Sequence, residues 1–369
     1  MKTCLKYVLI LLCLISSGHS LASDKAGVLH ALNDYLQGTR ESDPARIKNA
    51  FHPQAQLLLS HDTKPFWTVT AGQYARWFDR KSDKQRQGKV LSLKIDGDIA
   101  MARLKITVAP PYKAYIDHIL LKQIAGKWQI VGKTATDQTI QYQNKKILFI
   151  ASSASFHGDT ELPAGTSFSE LVYAYDTFIK AGYTVDFMST RGGALSLAYV
   201  NTSVPIHKQY LYDPEFMYAI GHSLAPEQVD ASRYHAVHYV GGSNAMYEVA
   251  EHPQIQAIAM AVYEQNNGII SAVCHGTAGI VNLKLKSGAY LVANKRVSGY
   301  PESFERQGAP YLKAFPFFIG ERVKARGGEF LHGERNKPFV EIDGRLITGQ
   351  NYLSSVAVAE AMIEVLDKR

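Results

Sequence analysis

The chain has 369 residues, of which 46% are hydrophobic and 20% charged, with a formal net charge of +7. A chain this long and apolar can bury two cores, so the composition excludes an intrinsically disordered protein and favours two domains. The positive excess is mild and dispersed, without a basic tract or an aromatic–basic repeat, so we expect no nucleic-acid partner.

The first 22 residues are typical of a secretory signal peptide. Lys2 and Lys6 form a positive start, residues 7–16 are almost entirely apolar, and residues 20–22 (Ser-Leu-Ala) resemble a cleavage site. We therefore predict a periplasmic or secreted protein, whose formal charge falls from +7 to +5 because the two lysines are removed. No later stretch approaches the ~20 apolar residues of a membrane span, so we expect no membrane insertion.

Removal of the signal peptide also removes Cys4 and Cys13, which leaves Cys274 as the single cysteine. An exported protein with one cysteine has no partner for an internal disulfide, so its stability must come from packed cores. The thiol of Cys274 is therefore available either for chemistry or for packing.

Residues 23–140 have the pattern of a small α+β domain. A helix comes first, and Asp43-Pro44 is a typical start for a second one. Alternating strands then predict two hairpins with turns at residues 96–98 (Asp-Gly-Asp) and 125–127 (Ala-Gly-Lys).

Asp117 and His118 are the polar residues of this region that first suggest a catalytic pair. They are neighbours on one predicted strand, so their side chains point to opposite faces of the sheet. We therefore do not predict a dyad there.

The same region resembles the SnoaL-like or lumazine-binding-like branch of the nuclear-transport-factor-like cone fold. The matching segments are the opening helix, DPARIKNAFHPQAQL, IDGDIAMARLKI and GKWQIVGK. The resemblance implies an α+β cone-like domain around an apolar cavity, and such domains bind ligands, catalyse reactions or only dimerise. We favour a packing or oligomerisation module, which either makes the protein a homodimer or shields the site of the second domain.

Beyond a polar joint at residues 141–146, the region 145–369 has a different pattern, in which strands alternate with helices. Predicted strands lie at residues 147–151, 184–188, 236–240, 268–273 and 297–299, with a helix around Glu170 to Ile179 and a last helix at residues 356–366. Repeated strand–helix units predict an α/β doubly wound, flavodoxin-like parallel sheet. Its functional site is expected at the carboxyl ends of the strands.

Cys274 ends the apolar run Ile-Ile-Ser-Ala-Val and is followed by His275-Gly276. A buried strand that stops at a sharp turn exposes the thiol above the sheet edge. The backbone N–H groups of a following helix would lower the pKa of this thiol, so we expect a thiolate nucleophile. The alternative is an inert buried cysteine beside a packing histidine.

Two further strand ends carry candidate groups. Gly241-Gly242 follows one strand, and bare backbone N–H groups there can approach an oxyanion closely, although an ordinary turn explains the pair equally well. Glu302 and Glu305 follow another strand end, where a carboxylate can orient an imidazole or lie in solvent.

Residues 145–368 resemble the ThiJ/PfpI branch of the class I glutamine-amidotransferase-like superfamily. Within it they are most similar to the subgroup described as glyoxalase III and holding chaperones. The matching segments, in the order of the family, are KKILFIASS, ELVYAYDTFIKAGYTVDFMST, HYVGGSNAMYEV, NNGIISAVCHGTAG, VSGYPESFE and DGRLITGQNYLSS.

This resemblance implies roles for six residues. Cys274 matches the nucleophile, His275 its partner, Glu170 the acid that hydrogen-bonds the thiol and moves protons, Glu305 the acid of a Cys-His-acid triad, and Gly241 and Gly242 the oxyanion glycines. Glu302 is the alternative to Glu305. No cofactor is implied.

The chain also departs from the family pattern. Ser243-Asn244 stands where the subgroup has His-Gly after the glycine pair. The metal site of some relatives has no counterpart that we can place, and we interpret His235 and His238, on opposite faces of one strand, as structural.

We therefore predict an exported, cofactor-independent cysteine enzyme that converts small reactive carbonyls, such as an α-oxoaldehyde, to a 2-hydroxy acid. One alternative is a non-enzymatic stress protein that holds unfolded protein clients or senses oxidants through Cys274. Another is an amide-cleaving hydrolase or hydratase of the same superfamily.

Overall fold

The computed structural model describes residues 23–61, 64–82, 84–109, 113–138 and 145–368. The predicted signal peptide lies outside the described residues. The chain divides into two compact units, residues 1–140 and 141–369. In the described part of the chain, each helix is too short or too polar to cross a bilayer.

The N-terminal unit is a mixed α and β structure. Its described helices and strands are α1 (23–41), α2 (Pro44–Ala50), β1 (Phe51–His61), β2 (Lys64–Thr70), α3 (Ala71–Arg76), β3 (Gln85–Asp96), β4 (Ile99–Ala109), β5 (Lys113–Ile124) and β6 (Lys127–Gln138). The strands form one sheet in the order β2-β1-β6-β5-β4-β3. Strands β1 and β6 pair in parallel, and the other neighbours pair antiparallel.

The local signals of this unit are confirmed. The side chain of Asp43 caps α2 by accepting hydrogen bonds from the N–H groups of Ala45 and Arg46. The two predicted hairpins are β3–β4 and β5–β6, with turns at the expected residues. The cone-like closure that the resemblance implies stays a prediction.

A polar cluster lies inside the otherwise apolar core of this unit. Lys133 Nζ is 3.0 Å from Asp117 Oδ1, and both side chains are almost fully buried. Tyr35 donates a hydrogen bond of 2.6 Å to the other oxygen of Asp117. His118 is exposed, so it lies opposite Asp117 as the strand pattern predicts.

The C-terminal unit alternates strands and helices. Its strands are β7 (Lys146–Ala151), β8 (Thr166–Ser167), β9 (Thr184–Ser189), β10 (Leu197–Ala198), β11 (Ala236–Tyr239), β12 (Ile269–Val273), β13 (Arg296–Ser298), β14 (Glu329–Leu331), β15 (Val340–Asp343) and β16 (Leu346–Gly349). Its α-helices are α4 (Phe168–Lys180), α5 (Pro205–Leu211), α6 (Pro214–Gly221), α7 (Pro253–Glu264), α8 (Ile319–Ala325) and α9 (Ser355–Asp367).

The central sheet has the order β15-β16-β12-β11-β7-β9, and only its edge strand β15 pairs antiparallel. Its five parallel strands follow the flavodoxin-like order 2-1-3-4-5, so the predicted doubly wound sheet is confirmed. Helices α4 and α9 contribute to the apolar cluster on one face, and α7 and α8 to the cluster on the other.

One predicted strand is placed differently. We expected residues 297–299 in the central sheet, but β13 pairs with β14 in a separate two-stranded sheet. The position beside β12 is taken by β16, whose four residues are all buried. Both segments are short, and pairing partners that are distant in sequence leave no local signal.

The buried cluster around Asp117 generates a stability prediction. Lys133→Met removes the cation that contacts the buried carboxylate of Asp117 and leaves Arg86 as the remaining cation of the cluster, so we expect the free energy of unfolding to fall by at most about 3 kcal/mol. The double variant Lys133→Met/Asp117→Asn removes both members of this ion pair and keeps an oxygen acceptor for Tyr35, so it should recover part of that loss.

Urea titration with tryptophan fluorescence measures this effect selectively, because Trp67, Trp77 and Trp128 are the three tryptophans of the chain and all lie in the N-terminal unit. A double variant as unstable as the single one would contradict the interpretation that the buried carboxylate of Asp117 requires the ammonium group of Lys133.

Candidate active site

The backbone at Cys274 is strained. Its φ is 56°, in the left-handed region that a residue with a β-carbon seldom adopts, at the point where β12 ends. The chain then turns directly into a 3₁₀ helix, residues Cys274–Ile280. Gly276 permits this turn, because a β-carbon there would lie 2.4 Å from the carbonyl oxygen of Tyr239 in β11.

Cys274, His275 and Glu305 form a chain of contacts. The sulfur of Cys274 lies 3.6 Å from Nδ1 of His275, and Nε2 of the same imidazole lies 2.7 Å from Oε1 of Glu305. Of the two candidate acids, Glu305 is buried and contacts the histidine, whereas Glu302 is exposed. This arrangement can orient the imidazole and balance a positive charge on it.

Glu170 is buried beside the thiol. It lies in the first turn of α4, where Ser167 caps the helix, and burial raises the pKa of its carboxyl to about 8. The thiol of Cys274, the hydroxyl of Ser167 and the backbone N–H of Gly241 act in the opposite direction on this pKa, but burial dominates. At neutral pH the carboxyl is mostly protonated and can exchange its proton close to pH 8.

The expected resting thiolate is wrong. Burial, followed by the negative charge of Glu170, raises the pKa of Cys274 well above its ordinary value, while the backbone N–H of His275 acts in the opposite direction. Only 7% of this residue is exposed. The sequence indicated a helix start beside the thiol, but the short 3₁₀ turn does not offset the loss of solvent around the sulfur.

The two glycines have different surroundings. A β-carbon at Gly241 would lie 2.3 Å from Oε2 of Glu170 and 3.0 Å from Cβ of Cys274, so this position faces the thiol. At Gly242, where φ is 110°, a β-carbon would collide with the backbone of β8, at 2.4 Å from the nitrogen of Ser167. Their role as oxyanion donors stays a prediction.

Aromatic side chains that the sequence did not single out surround the triad. Tyr300 stacks on His275 with ring centroids 4.7 Å apart, and Phe315 meets the same imidazole edge-on at 5.7 Å. Tyr311 donates a hydrogen bond of 3.0 Å to Oε2 of Glu305. Tyr300 follows a recognisable strand end, but Tyr311 lies in a short 3₁₀ helix, Pro310–Ala314, and Phe315 directly after it, where the sequence gives no signal.

Tyr199 also lies near the triad, although 68% of it is exposed. Partial burial and then the negative charges of Cys274, Glu170 and Glu305 raise its pKa. Its backbone is left-handed, with φ of 58°, which is unusual for a bulky residue. The structure thus places a partly exposed tyrosine near the site.

The remaining polar candidates are structural. His238 is fully buried, Nδ1 lies 2.7 Å from the hydroxyl of Ser271, and burial lowers its pKa to about 3. Asn244 donates hydrogen bonds to the carbonyl oxygens of Ser152 and Ala154, which ties the glycine turn to the end of β7. Within the described residues, no cluster of three or more His, Cys, Asp or Glu side chains could hold a metal ion.

The comparison with family models identifies both halves of the chain. Residues 162–365, more than half of the chain, match the DJ-1/PfpI family. This chain belongs to the DJ-1/PfpI family. Residues 23–135 match a second family, described as "Putative lumazine-binding". Both resemblances inferred from the sequence are thereby confirmed.

Curated relatives match the C-terminal unit, which is called the DJ-1/PfpI unit below. The glutathione-independent glyoxalase hsp3102 of Schizosaccharomyces pombe is 28% identical over 243 residues, which are 61% of this chain and 98% of that protein. The glutathione-independent glyoxalase HSP31 of Saccharomyces cerevisiae is 28% identical over 235 residues, which are 60% of this chain and 98% of that protein.

A solved structure shows the same fold. Glyoxalase III from Candida albicans has a TM-score of 0.55 and 24% identity, and covers 61% of this chain and 98% of its own. The likeness confirms the DJ-1/PfpI fold of the C-terminal unit.

The raised pKa of Glu170 predicts a specific dependence of stability on pH. Its pKa is about 8 in the folded protein against an ordinary value of 4.5, so between these values the folded state keeps a proton that the unfolded chain has lost. The free energy of unfolding should therefore decrease as pH rises through this window, by at most about 1.4 kcal/mol per pH unit.

Glu170→Gln should remove this component. Urea titrations followed by circular dichroism at about pH 5 and about pH 8 measure it, as the difference between wild type and variant. The matched control is Glu302→Gln, which removes an exposed acid. If the free energy of unfolding depends on pH equally in wild type and Glu170→Gln, burial does not raise the pKa of the Glu170 carboxyl.

Proposed function

We propose that the DJ-1/PfpI unit is a cofactor-independent glyoxalase that converts an α-oxoaldehyde to a 2-hydroxy acid. The observation that carries the proposal is the pairing of a strained cysteine with two acids in different environments. Glu170 is buried against the thiol, and Glu305 is bonded to the imidazole of His275. The names of the relatives support the same reaction.

The first step is addition of the thiol to the aldehyde. His275 takes the proton from the sulfur of Cys274, across the 3.6 Å contact, as the sulfur attacks the aldehyde carbon. Glu305 stabilises the resulting imidazolium. The imidazolium then returns the proton to the aldehyde oxygen, and the product is a thiohemiacetal on Cys274.

The second step is a proton transfer between adjacent carbons. Glu170 in its carboxylate form removes the proton from the former aldehyde carbon, and the hydroxyl proton on that carbon's oxygen passes to the neighbouring carbonyl oxygen. Glu170 then returns the carbon-bound proton to the neighbouring carbon. The carbon bound to sulfur becomes a thioester carbonyl and its neighbour becomes a hydroxyl-bearing carbon. One carbon is oxidised and the other reduced, so no external redox agent is required.

The last step is hydrolysis. A water molecule attacks the thioester carbonyl, the carbon–sulfur bond breaks, and the 2-hydroxy acid leaves while the thiol of Cys274 regains its proton. A base with a pKa of about 8 suits the second step, because it is strong enough to accept a carbon-bound proton and still ionises near neutral pH.

Methylglyoxal turnover tests the proposal. We expect lactate formation without glutathione, lost to background in Cys274→Ala and reduced about 10³-fold in Glu170→Gln, since general base catalysis contributes 10²–10⁴-fold. Glu305→Gln should lose about 10²-fold, whereas Glu302→Gln, three residues away and exposed, should retain wild-type activity.

Unchanged turnover in Cys274→Ala would contradict the mechanism. If methylglyoxal is not consumed at all, two other outcomes decide among the alternatives. Release of ammonia or new amino termini from amides would indicate a hydrolase. Suppression of client aggregation that survives Cys274→Ala would indicate a holding chaperone, with unfolded proteins as partners.

We also propose that the protein is exported. The support is the positive start, the apolar run and the small residues at positions 20–22. Expression in a bacterial host should give a periplasmic protein whose intact mass corresponds to a chain that begins near Ser23. A full-length mass in the cytoplasmic fraction would contradict export. The homodimer stays a prediction, which sedimentation of the purified protein can test.

A further inference from the structure

Glu305 is held at both carboxylate oxygens. Oε1 lies 2.7 Å from Nε2 of His275, and Oε2 accepts a hydrogen bond of 3.0 Å from the hydroxyl of Tyr311. The backbone at Glu305 is extended, with φ of −63° and ψ of 150°, and follows a single 3₁₀ turn, Glu302–Phe304. No regular helix therefore fixes the carboxylate, and its orientation depends on its hydrogen bonds.

Tyr311 is itself held by an aromatic cluster. Its ring stacks on His157, with centroids 5.1 Å apart and planes within 26°. Nδ1 of His157 lies 3.2 Å from the hydroxyl of Tyr247, and this hydroxyl donates a hydrogen bond of 3.1 Å to the carbonyl of Ala314. Ala314 ends the 3₁₀ helix Pro310–Ala314 that carries Tyr311, so the contacts close a ring around it.

Phe315 connects this cluster with the triad. Its ring lies 5.5 Å from Tyr311, 5.9 Å from His157 and 5.7 Å from His275. Rings in contact at these separations restrict one another's orientation, so the cluster restrains the ring of Tyr311. The phenol hydroxyl is consequently presented to Glu305 from a fixed direction.

We propose that Tyr311 is a positioning residue for the Cys-His-Glu site, which acts by holding the carboxylate of Glu305 against His275. The inference concerns the site of the proposed glyoxalase, but it does not require that activity. Its readout is the reactivity of the Cys274 thiol, which depends on how well His275 accepts the proton from sulfur.

Tyr311→Phe removes the hydroxyl and keeps the ring that stacks on His157. If the hydroxyl holds Glu305 in place, the carboxylate turns away from His275 in this variant, and the imidazole becomes a poorer base. Alkylation of Cys274 by iodoacetamide should then slow about tenfold at about pH 7.5, because a hydrogen bond to a charged group contributes about this factor. The midpoint of its pH profile should move upward by about one unit.

A purely electrostatic contact predicts the opposite result. If the carboxylate of Glu305 stays in place when the Tyr311 hydroxyl is lost, its negative charge is less neutralised. It then stabilises the imidazolium of His275 more strongly, and the thiolate of Cys274 forms more readily. Alkylation that is faster than or equal to wild type would therefore overturn the positioning role.

Two further variants test whether Tyr311 acts through Glu305 and whether the effect is specific to the site. Tyr311→Phe should have no additional effect in a Glu305→Gln background, because the two groups act through one contact. Tyr210→Phe removes a matched phenol-to-carboxylate hydrogen bond, 2.8 Å to Asp176, which is not part of the site. It should leave the alkylation profile unchanged even if it lowers the melting temperature.

If Tyr210→Phe slowed alkylation to the same extent, a general loss of stability would explain the result and the proposal would fail. If the enzyme also consumes methylglyoxal, Tyr311→Phe should lower kcat with little change in KM, because Tyr311 acts on the base and not on the substrate. Absence of methylglyoxal turnover would contradict the proposed reaction and leave the alkylation test intact.

Discussion

The thiol of Cys274 and the carboxyl of Glu170 are buried side by side, and this burial sets the proton affinities of the site. Cys274 and Glu170 are both buried, and neither can ionise easily because the surroundings penalise a charge. Ionisation of one also opposes ionisation of the other. The pair therefore holds its protons near neutral pH.

The two acids of the site differ in environment and hence in role. Glu170 is dominated by burial, and its raised pKa suits a group that accepts and returns a proton. Glu305 is hydrogen-bonded at both oxygens, to His275 and Tyr311, which suits a fixed carboxylate that orients an imidazole. The fold creates this difference by placing one acid in the first turn of a helix and the other on an irregular segment beside aromatic rings.

The strained backbone of Cys274 is also stabilised by the surrounding fold. A left-handed residue at the end of β12 costs about 1–3 kcal/mol, which the buried strands on either side offset. The close contacts at Gly276 and Gly241 show that the surrounding turns approach Cys274 and its neighbours closely. A stable parallel sheet thus supports a local conformation that would not persist in an isolated loop.

Much of the fold was predictable from the sequence, because its signals are local. The Asp43 cap and the two hairpin turns follow from residue types at fixed spacings, and the apolar runs at β7 and β12 predict buried parallel strands. The elbow at Cys274 with its glycine neighbours was recognisable for the same reason. The strand-end pattern also indicated Glu302 and Glu305 as candidate acids, but the resemblance supplied Glu170 and the choice of Glu305 over Glu302.

Other features were decided only by the tertiary structure. The raised pKa of Cys274 depends on the solvent excluded by several distant segments, so the helix-start pattern beside it predicted the wrong direction. Tyr311, in a short 3₁₀ helix, and Tyr199, in a loop, lie near the site without a sequence signal. The sheet position beside β12 is occupied by β16 and not by residues 297–299. Sequence by itself determined the elements that have strong local signals and which thiol is the candidate, because those depend on neighbouring residues. Burial, proton affinity and strand order depend on contacts across the fold, and only the packed structure decides them.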